Sequence, residues 1–430
     1  MCAPTLTSRS ALSVINGVKS VSAPSAKRRK SSKHLASATV ATNDNGVPWP
    51  PVPPRISSSS GRDFFLPGSN RTSARLPVRS LGEGGNYILF LGKEKIFMDL
   101  KHILSTQQFL NRKTLQKIFK IADKFEKADQ KDKVPKLLQN KILSCVFYEP
   151  STRTRFSFES AMLKLGGQVI STESAGHFSS AIKGETLEDS IRIISGYSNA
   201  IVLRHPDAHA AERAAKVSQV PIINAGDGTG EHPTQALLDF YTIQKEIGRI
   251  DNFKIGLVGD LLYGRTIHSL IYLLSLAHNV EVFLVSPKEL RLPEKYKSFL
   301  KARKIKFSES SNLESVLSKI DVLYMTRVQK ERFASRQLYE RVKNAFVLNK
   351  NLLDKLNKRA IIMHPLPRVN EISQEVDSDN RAAYFRQARN GLYIRMALLD
   401  LLFIKSKNLP PKKNLWFDKL TILNEVEGKL

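Results

Sequence analysis

The sequence predicts an α/β protein: two parallel-sheet units joined by a long helix and preceded by a disordered extension. Three observations predict it. Short apolar runs of strand composition recur between residues 142 and 363, and stretches with helical spacing of apolar residues lie between them. Apolar residues make up 41% of the 430, enough to bury a sizeable core, and the length suits two or three domains. The charged residues that interrupt the pattern, mostly arginines, fall at strand ends, where parallel sheets bind ligands.

The chain carries 67 Lys+Arg against 40 Asp+Glu, a net charge of +27. Residues 1–80 hold 12 of the basic residues and only two acids, Asp44 and Asp63. This opening stretch is Ser-rich, with prolines at Pro48, Pro50, Pro51, Pro53 and Pro54 and a tract at Ser57–Ser60. It cannot bury enough apolar surface to offset the entropy of ordering. An acid-poor, Ser/Arg-rich leader has the character of an organelle transit peptide, and no apolar core of secretory length follows its first charges. Lys27-Arg28-Arg29-Lys30 also admits a nuclear address or a nucleic-acid patch. We take 1–85 as the extension, with the fold beginning near Ile88.

Apolar positions Phe109, Leu115, Ile118, Phe119 and Ile121 predict a helix over 106–128. Residues 142–147 read as a strand, and Ser151-Thr152 opens the next helix. Strands follow at 168–171, 200–203 and 220–224, with helices over 185–196, 208–217 and 234–247. The second half repeats the scheme, with strands at 254–258, 281–285, 321–325 and 360–363. Helix 234–247 is the natural bridge, dividing the chain into units 86–233 and 234–405, with a further tail at 406–430.

Cys2 and Cys145 are too few for a disulfide scaffold or a cysteine zinc module. No apolar run approaches the ~20 residues of a membrane span. The P-loop pattern is absent, and no His/Cys/Asp group has metal-ligand spacing. Gly256, Gly259 and Gly264 miss the dinucleotide spacing, and the following strand ends in Ser286-Pro287 without a ribose-binding acid. We therefore expect no metal and no cofactor.

Ser151-Thr152-Arg153-Thr154-Arg155 places hydroxyls, helix N-terminal N–H groups and guanidiniums together, an arrangement suited to phosphate. The bland reading is a plain Ser/Thr cap with solvated arginines. Arg204, Arg265 and Arg327 follow three further strands, so the expected substrates are rich in carboxylate and phosphate oxygens. His232 and Gln235 lie one turn apart at the start of the bridging helix. No acid pairs with His232 in sequence, so it reads as a hydrogen-bond donor to a carbonyl that gains charge.

Residues from about 98 to 405 resemble the catalytic chain of the aspartate transcarbamoylase family. The resemblance rests on Ser151-Thr152-Arg153-Thr154-Arg155, Lys183-Gly184-Glu185-Thr186, Arg204-His205, His232-Pro233-Thr234-Gln235, Arg327-Val328-Gln329 and His364-Pro365-Leu366-Pro367-Arg368. The first motif is shared with ornithine transcarbamoylases; the Lys183 loop, Arg327-Val328-Gln329 and His364-Pro365-Leu366-Pro367 resemble the aspartate branch. It implies transfer of the carbamoyl group of carbamoyl phosphate to L-aspartate in pyrimidine synthesis. By motif match, Ser151, Thr152, Arg153 and Thr154 hold phosphate. Thr154, Arg204 and His232 polarise the carbonyl, and Gln235 meets the carbamoyl amino group. Arg265, Arg327 and Gln329 hold the aspartate carboxylates, and Pro365, Leu366 and Pro367 offer backbone carbonyls. Arg153, Thr154, Arg204 and His232 are the expected catalytic set.

The resemblance further implies a homotrimer in which Ser179 and Lys183 reach a neighbour's site, Lys183 contacting aspartate there. Phe178 and Arg381-Ala382-Ala383-Tyr384-Phe385-Arg386-Gln387 look like plant-type members, which implies a plastid address and inhibition by UMP, with Phe178 on the responsible loop. Mitochondrial and cytoplasmic locations are the alternatives. Asn370 stands where the family often has Asp, which puts a domain-closure contact in doubt, and the length implies a monofunctional enzyme.

Two other readings compete. A transcarbamoylase for ornithine or a modified ornithine would not want the arginines at 265 and 327, which repel a cationic side chain. A nucleic-acid protein would suit the charge, but no interleaved aromatic/basic stripe or known module is present. We expect neither a nucleic-acid partner nor a membrane.

Overall fold

The structure, a computed structural model, describes residues 100–406 apart from 179, 229, 330–332 and 334. The leader at 1–85, Ser179 and the tail beyond 406 lie outside the described residues.

The first half runs α1 (Arg112–Asp129), β1 (Ile142–Phe147), α2 (Thr152–Lys164), β2 (Gln168–Glu173), α3 (Ala175–Phe178), α4 (Leu187–Tyr197), β3 (Ala200–His205), α5 (Ala210–Val217), β4 (Ile222–Asp227) and α6 (Pro233–Ile247). The second runs β5 (Lys254–Val258), α7 (Arg265–Leu274), β6 (Glu281–Val285), α8 (Glu294–Ala302), β7 (Lys306–Ser310), α9 (Glu314–Leu317), β8 (Val322–Met325), α10 (Arg336–Val342), α11 (Lys350–Lys355), β9 (Ile361–Met363) and α12 (Tyr384–Ser406).

Two sheets form, both wholly parallel, with strand orders β2-β1-β3-β4 and β7-β6-β5-β8-β9. Each order reverses once, between β1 and β3 and between β5 and β8. Connections leave in opposite directions at those points and open a crevice beyond the strand ends. β1, β3, β5 and β8 are the strands whose ends carry the arginines.

Apolar residues of both halves meet in one core, with Leu143, Val202 and Ile223 of the first sheet and Ile255, Leu257 and Val322 of the second. α6 runs through it almost fully buried, from Pro233 at its first turn to Gly248 at φ +73°, a left-handed C-terminal stop that glycine adopts without a Cβ penalty. α12 packs on α6 and also on α1 and α2, so the last helix returns to the first sheet's side.

Two expectations are corrected. The helix read over 106–128 is a 3₁₀ turn at Thr106–Phe109 followed by α1. The Asn111 side chain accepts from Thr114 N at 3.1 Å, a cap bond that starts a new helix. Strand β7 was missed, because Lys306, Ser308 and Glu309 are exposed on an edge strand held by backbone pairing to β6 rather than by apolar alternation.

Candidate active site

A cavity of about 520 Å³ opens between the ends of the two sheets. Ser151, Thr152, Arg153 and Thr154 reach it from the start of α2, Arg204 from β3, and His232 and Gln235 from α6. Arg265, Arg327 and Gln329 face it from the second half, with Pro365, Leu366 and Pro367 on the turn after β9. Lys183, exposed at the end of the 3₁₀ turn Ser180–Lys183, is not among the residues lining it, and Phe178 is the last residue of α3.

Ser151 occupies the N-cap position of α2, yet its side chain makes no cap bond. The Ser151 hydroxyl therefore does not act as a plain cap, and Ser151 and Thr152 both line the cavity. Arg153 keeps part of its surface exposed, and its pKa is lowered by desolvation and then by Arg327, a second cation nearby. Arg155 belongs to the same motif but turns away, pairing with Glu159 at 3.5 Å and Glu173 at 3.2 Å.

Arg204 and Arg265 converge from the two halves on Glu149, at 3.3 and 3.8 Å. Between them passes Gly226 at φ +114°, where a Cβ would stand 3.1 Å from the Arg265 guanidinium carbon and 3.2 Å from Arg204. Arg265 donates to the Gly228 carbonyl at 2.7 Å and Arg204 to that of Ala225 at 3.3 Å, which fixes both forks. On the second sheet Gly259 at φ +112° lets the end of β5 pass the Thr326 carbonyl, which a Cβ would meet at 2.2 Å.

His232 starts α6, its backbone N–H bonded to Ser269 Oγ at 3.0 Å. Burial, then Arg265, Arg204 and Arg395, hold its pKa well below the usual value. The ring is neutral at physiological pH, and its buried Nδ1 meets no protein partner. A neutral imidazole beside two arginines can donate an N–H to an oxygen gaining charge; it is no reservoir for a proton.

The Leu366-Pro367 bond is cis and Leu366 sits at φ +51°. His364 anchors this turn: its Nδ1 accepts from Leu366 N at 2.8 Å, so the ring proton is on Nε2, which donates to Glu371 at 2.8 Å. Gln329 donates through Nε2 to the Tyr263 carbonyl at 3.0 Å, and Asp260 accepts from the backbone of Tyr263 and Gln329 at 2.9 and 3.3 Å.

Sequence reading missed Glu149, Ser157, Thr266, Thr326, Gln387 and Arg395, which also line the cavity. Glu149 stood four residues before Arg153 and could have been found as the one acid beside the motif. Arg395 carried no such signal, because an arginine in an apolar helix looks like a surface residue until α12 is placed.

Residues 101–245 match the carbamoyl-P binding domain of aspartate/ornithine carbamoyltransferase, and residues 251–402 its Asp/Orn binding domain. Among curated relatives, aspartate carbamoyltransferase 2, chloroplastic, of Pisum sativum is 52% identical over 344 residues, 80% of this chain and 86% of the relative. The chain belongs to the aspartate carbamoyltransferase family. The catalytic subunit of that enzyme from Methanocaldococcus jannaschii is 53% identical over 303 residues, 70% of this chain and 98% of the relative. Its solved structure matches with a TM-score of 0.67 over 72% of this chain and 100% of that one, at 51% identity. The Trypanosoma cruzi aspartate transcarbamoylase, solved with carbamoyl phosphate and aspartate, matches with a TM-score of 0.67 at 41% identity, over 71% of this chain and 97% of that one.

Proposed function

We propose that the residues of this cavity bind carbamoyl phosphate at the first sheet and L-aspartate at the second and join them. The chain is an aspartate carbamoyltransferase, forming N-carbamoyl-L-aspartate and phosphate in pyrimidine synthesis. One observation carries the assignment of roles: Arg153 and Arg204 stand at the reversal point of one sheet, Arg265 and Arg327 at that of the other, and all four face one cavity. The complex of the trypanosomal relative with both substrates supports it.

Ser151, Thr152, Arg153 and Thr154 hold the phosphate, as a helix N-terminus with hydroxyls and a guanidinium is suited to do. Thr154, Arg204 and His232 donate to the carbamoyl oxygen, and Gln235 accepts from the carbamoyl nitrogen. Arg265 and Arg327, with Gln329, take the two carboxylates, which a cationic ornithine side chain could not replace. The Pro365, Leu366 and Pro367 carbonyls accept from the substrates' amino groups.

The aspartate nitrogen attacks the carbamoyl carbon, a C–N bond forms, and the carbon–oxygen bond to phosphate breaks. Orientation and charge stabilisation suffice, since carbamoyl phosphate is already activated. The departing phosphate takes the amine's proton, in keeping with a neutral His232 and with a Glu149 carboxylate held by Arg204 and Arg265. Ser179 and Lys183 serve a neighbour's site in a homotrimer, UMP competes at the site with Phe178 on its loop, and the protein works in a plastid, the location named for several relatives.

The test is carbamoylation by the purified chain with L-aspartate or L-ornithine. Turnover with aspartate alone agrees with the reading, and turnover with ornithine overturns the roles of Arg265 and Arg327. Mixing a Lys183→Ala chain with an Arg153→Ala chain should restore part of the activity, and none restored argues against shared sites. Turnover undiminished at saturating UMP removes the inhibitor.

A further inference from the structure

The fully buried carboxylate of Asp239, one turn along α6 from Gln235, lies outside the roles given above. Its Oδ1 accepts from Gln235 Nε2 at 2.8 Å and from Gln387 Nε2 at 2.6 Å, and its Oδ2 from the Tyr324 hydroxyl at 2.7 Å. These donors come from three elements, α6, α12 and β8. Gln387 passes the constraint on, because its Oε1 accepts from His364 N at 2.9 Å, at the root of the 364–367 turn.

A carboxylate can only accept, so Gln235 must spend its amide N–H₂ on Asp239. Its amide oxygen is then the atom left for the cavity it lines. Without the carboxylate the amide has no reason to prefer that face, and its N–H₂ could turn inward, where it would oppose a substrate N–H₂.

We propose that Asp239 is a positioning residue of the carbamoyl site, which turns the Gln235 amide oxygen toward the carbamoyl nitrogen and holds the 364–367 turn through Gln387. The inference rests on the functional reading above. Asp239→Leu is close in volume and offers no acceptor, so the Gln235 amide loses the group that orients it.

In the full chain, we expect D239L to lower kcat/KM for carbamoyl phosphate at least tenfold. In a Gln235→Ala/Gln387→Ala background the same change should cost less than about threefold, since both residues it acts through are gone. A general structural role would instead give losses that multiply. Losses that multiply, or a folded D239L enzyme with wild-type kcat/KM, overturn the inference.

Should D239L fail to fold, Tyr324→Phe removes one donor to the carboxylate without emptying the site. The charged and titratable groups facing Asp239 are Arg395 on α12 and Tyr324 on β8; Gln235 and Gln387 are neutral. Losing the hydroxyl destabilises the carboxylate, so the acid limb of kcat/KM for carbamoyl phosphate should move to higher pH, and an unmoved limb overturns the inference. A wild-type chain that does not carbamoylate aspartate defeats the functional reading and this inference together. An active wild type with multiplying losses defeats the inference alone.

Discussion

Arg395 donates to Ser157 Oγ at 3.0 Å, joining α12, the last helix of the fold, to α2, the helix that opens the phosphate site. The arginine is buried, with its guanidinium 5.0 Å from the Phe158 ring centroid. Burial lowers its pKa to about 10, against the pull of Asp239 in the other direction.

Replacing Arg395 by Met removes one of two buried opposite charges and leaves Asp239 without the cation that faces it, which destabilises. The melting temperature of Arg395→Met should therefore fall by several degrees. Activity should change as well, because the acid limb of the rate profile should move up in pH. A profile matching wild type would remove Arg395 from the electrostatics of the site.

Arg265→Lys and Arg327→Lys keep the charge but lose the fork. Each lost charge-assisted bond is worth roughly 1.5–3 kcal/mol, on the order of tenfold to a hundredfold. The loss should fall on the KM for aspartate, with the dissociation constant for carbamoyl phosphate changed less than threefold. Steady-state kinetics with each substrate varied separates the two.

Ser151 and Asn111 both stand at helix starts, and only Asn111 caps through its side chain. Asn111→Ala should cost about 1 kcal/mol of stability and leave kinetics alone. Ser151→Ala should do the reverse, raising the KM for carbamoyl phosphate with little change in denaturant midpoint.

Two buried groups set the pH behaviour in opposite ways. Because His232 is held neutral, no limb of the rate profile between pH 5 and 8 should belong to it. His232→Asn should lower kcat by about a hundredfold, the scale of a lost oxyanion donor, without changing the shape of the profile. Asp239 is pushed up to about 7 by burial, so between about pH 4 and 7 the folded chain holds a proton there that the unfolded chain has released, and above 7 it is the carboxylate. Its contribution to stability is present at low pH and is lost as pH rises through 7. Between pH 5 and 8 the stability difference should shift in favour of D239N over wild type, as read from urea midpoints.

Much of the fold was legible because strand and helix periods are local properties. Residues 254–258 and 281–285 were read with the bounds the structure has, since each is a short apolar run buried in a parallel sheet. β7 was not, because an edge strand with one partly buried Phe307 has no local pattern. Among the site residues, those with an unusual type at a strand end (Arg204, Arg265, Arg327) were visible one at a time.

By itself the sequence determined the strand–helix alternation, the polar residues at the strand ends and the motifs that carry the family. Each depends on neighbours within a few positions of the chain. The tertiary structure decided what those residues face. It turned Arg155 to Glu159 and Glu173 while leaving Arg153 at the cavity, and it set Glu149 between two arginines from different halves. It also brought Gln387 and Tyr324 to Asp239 across 148 and 85 residues of chain. A buried carboxylate needs donors wherever they come from, and only the packed core says which ones arrive.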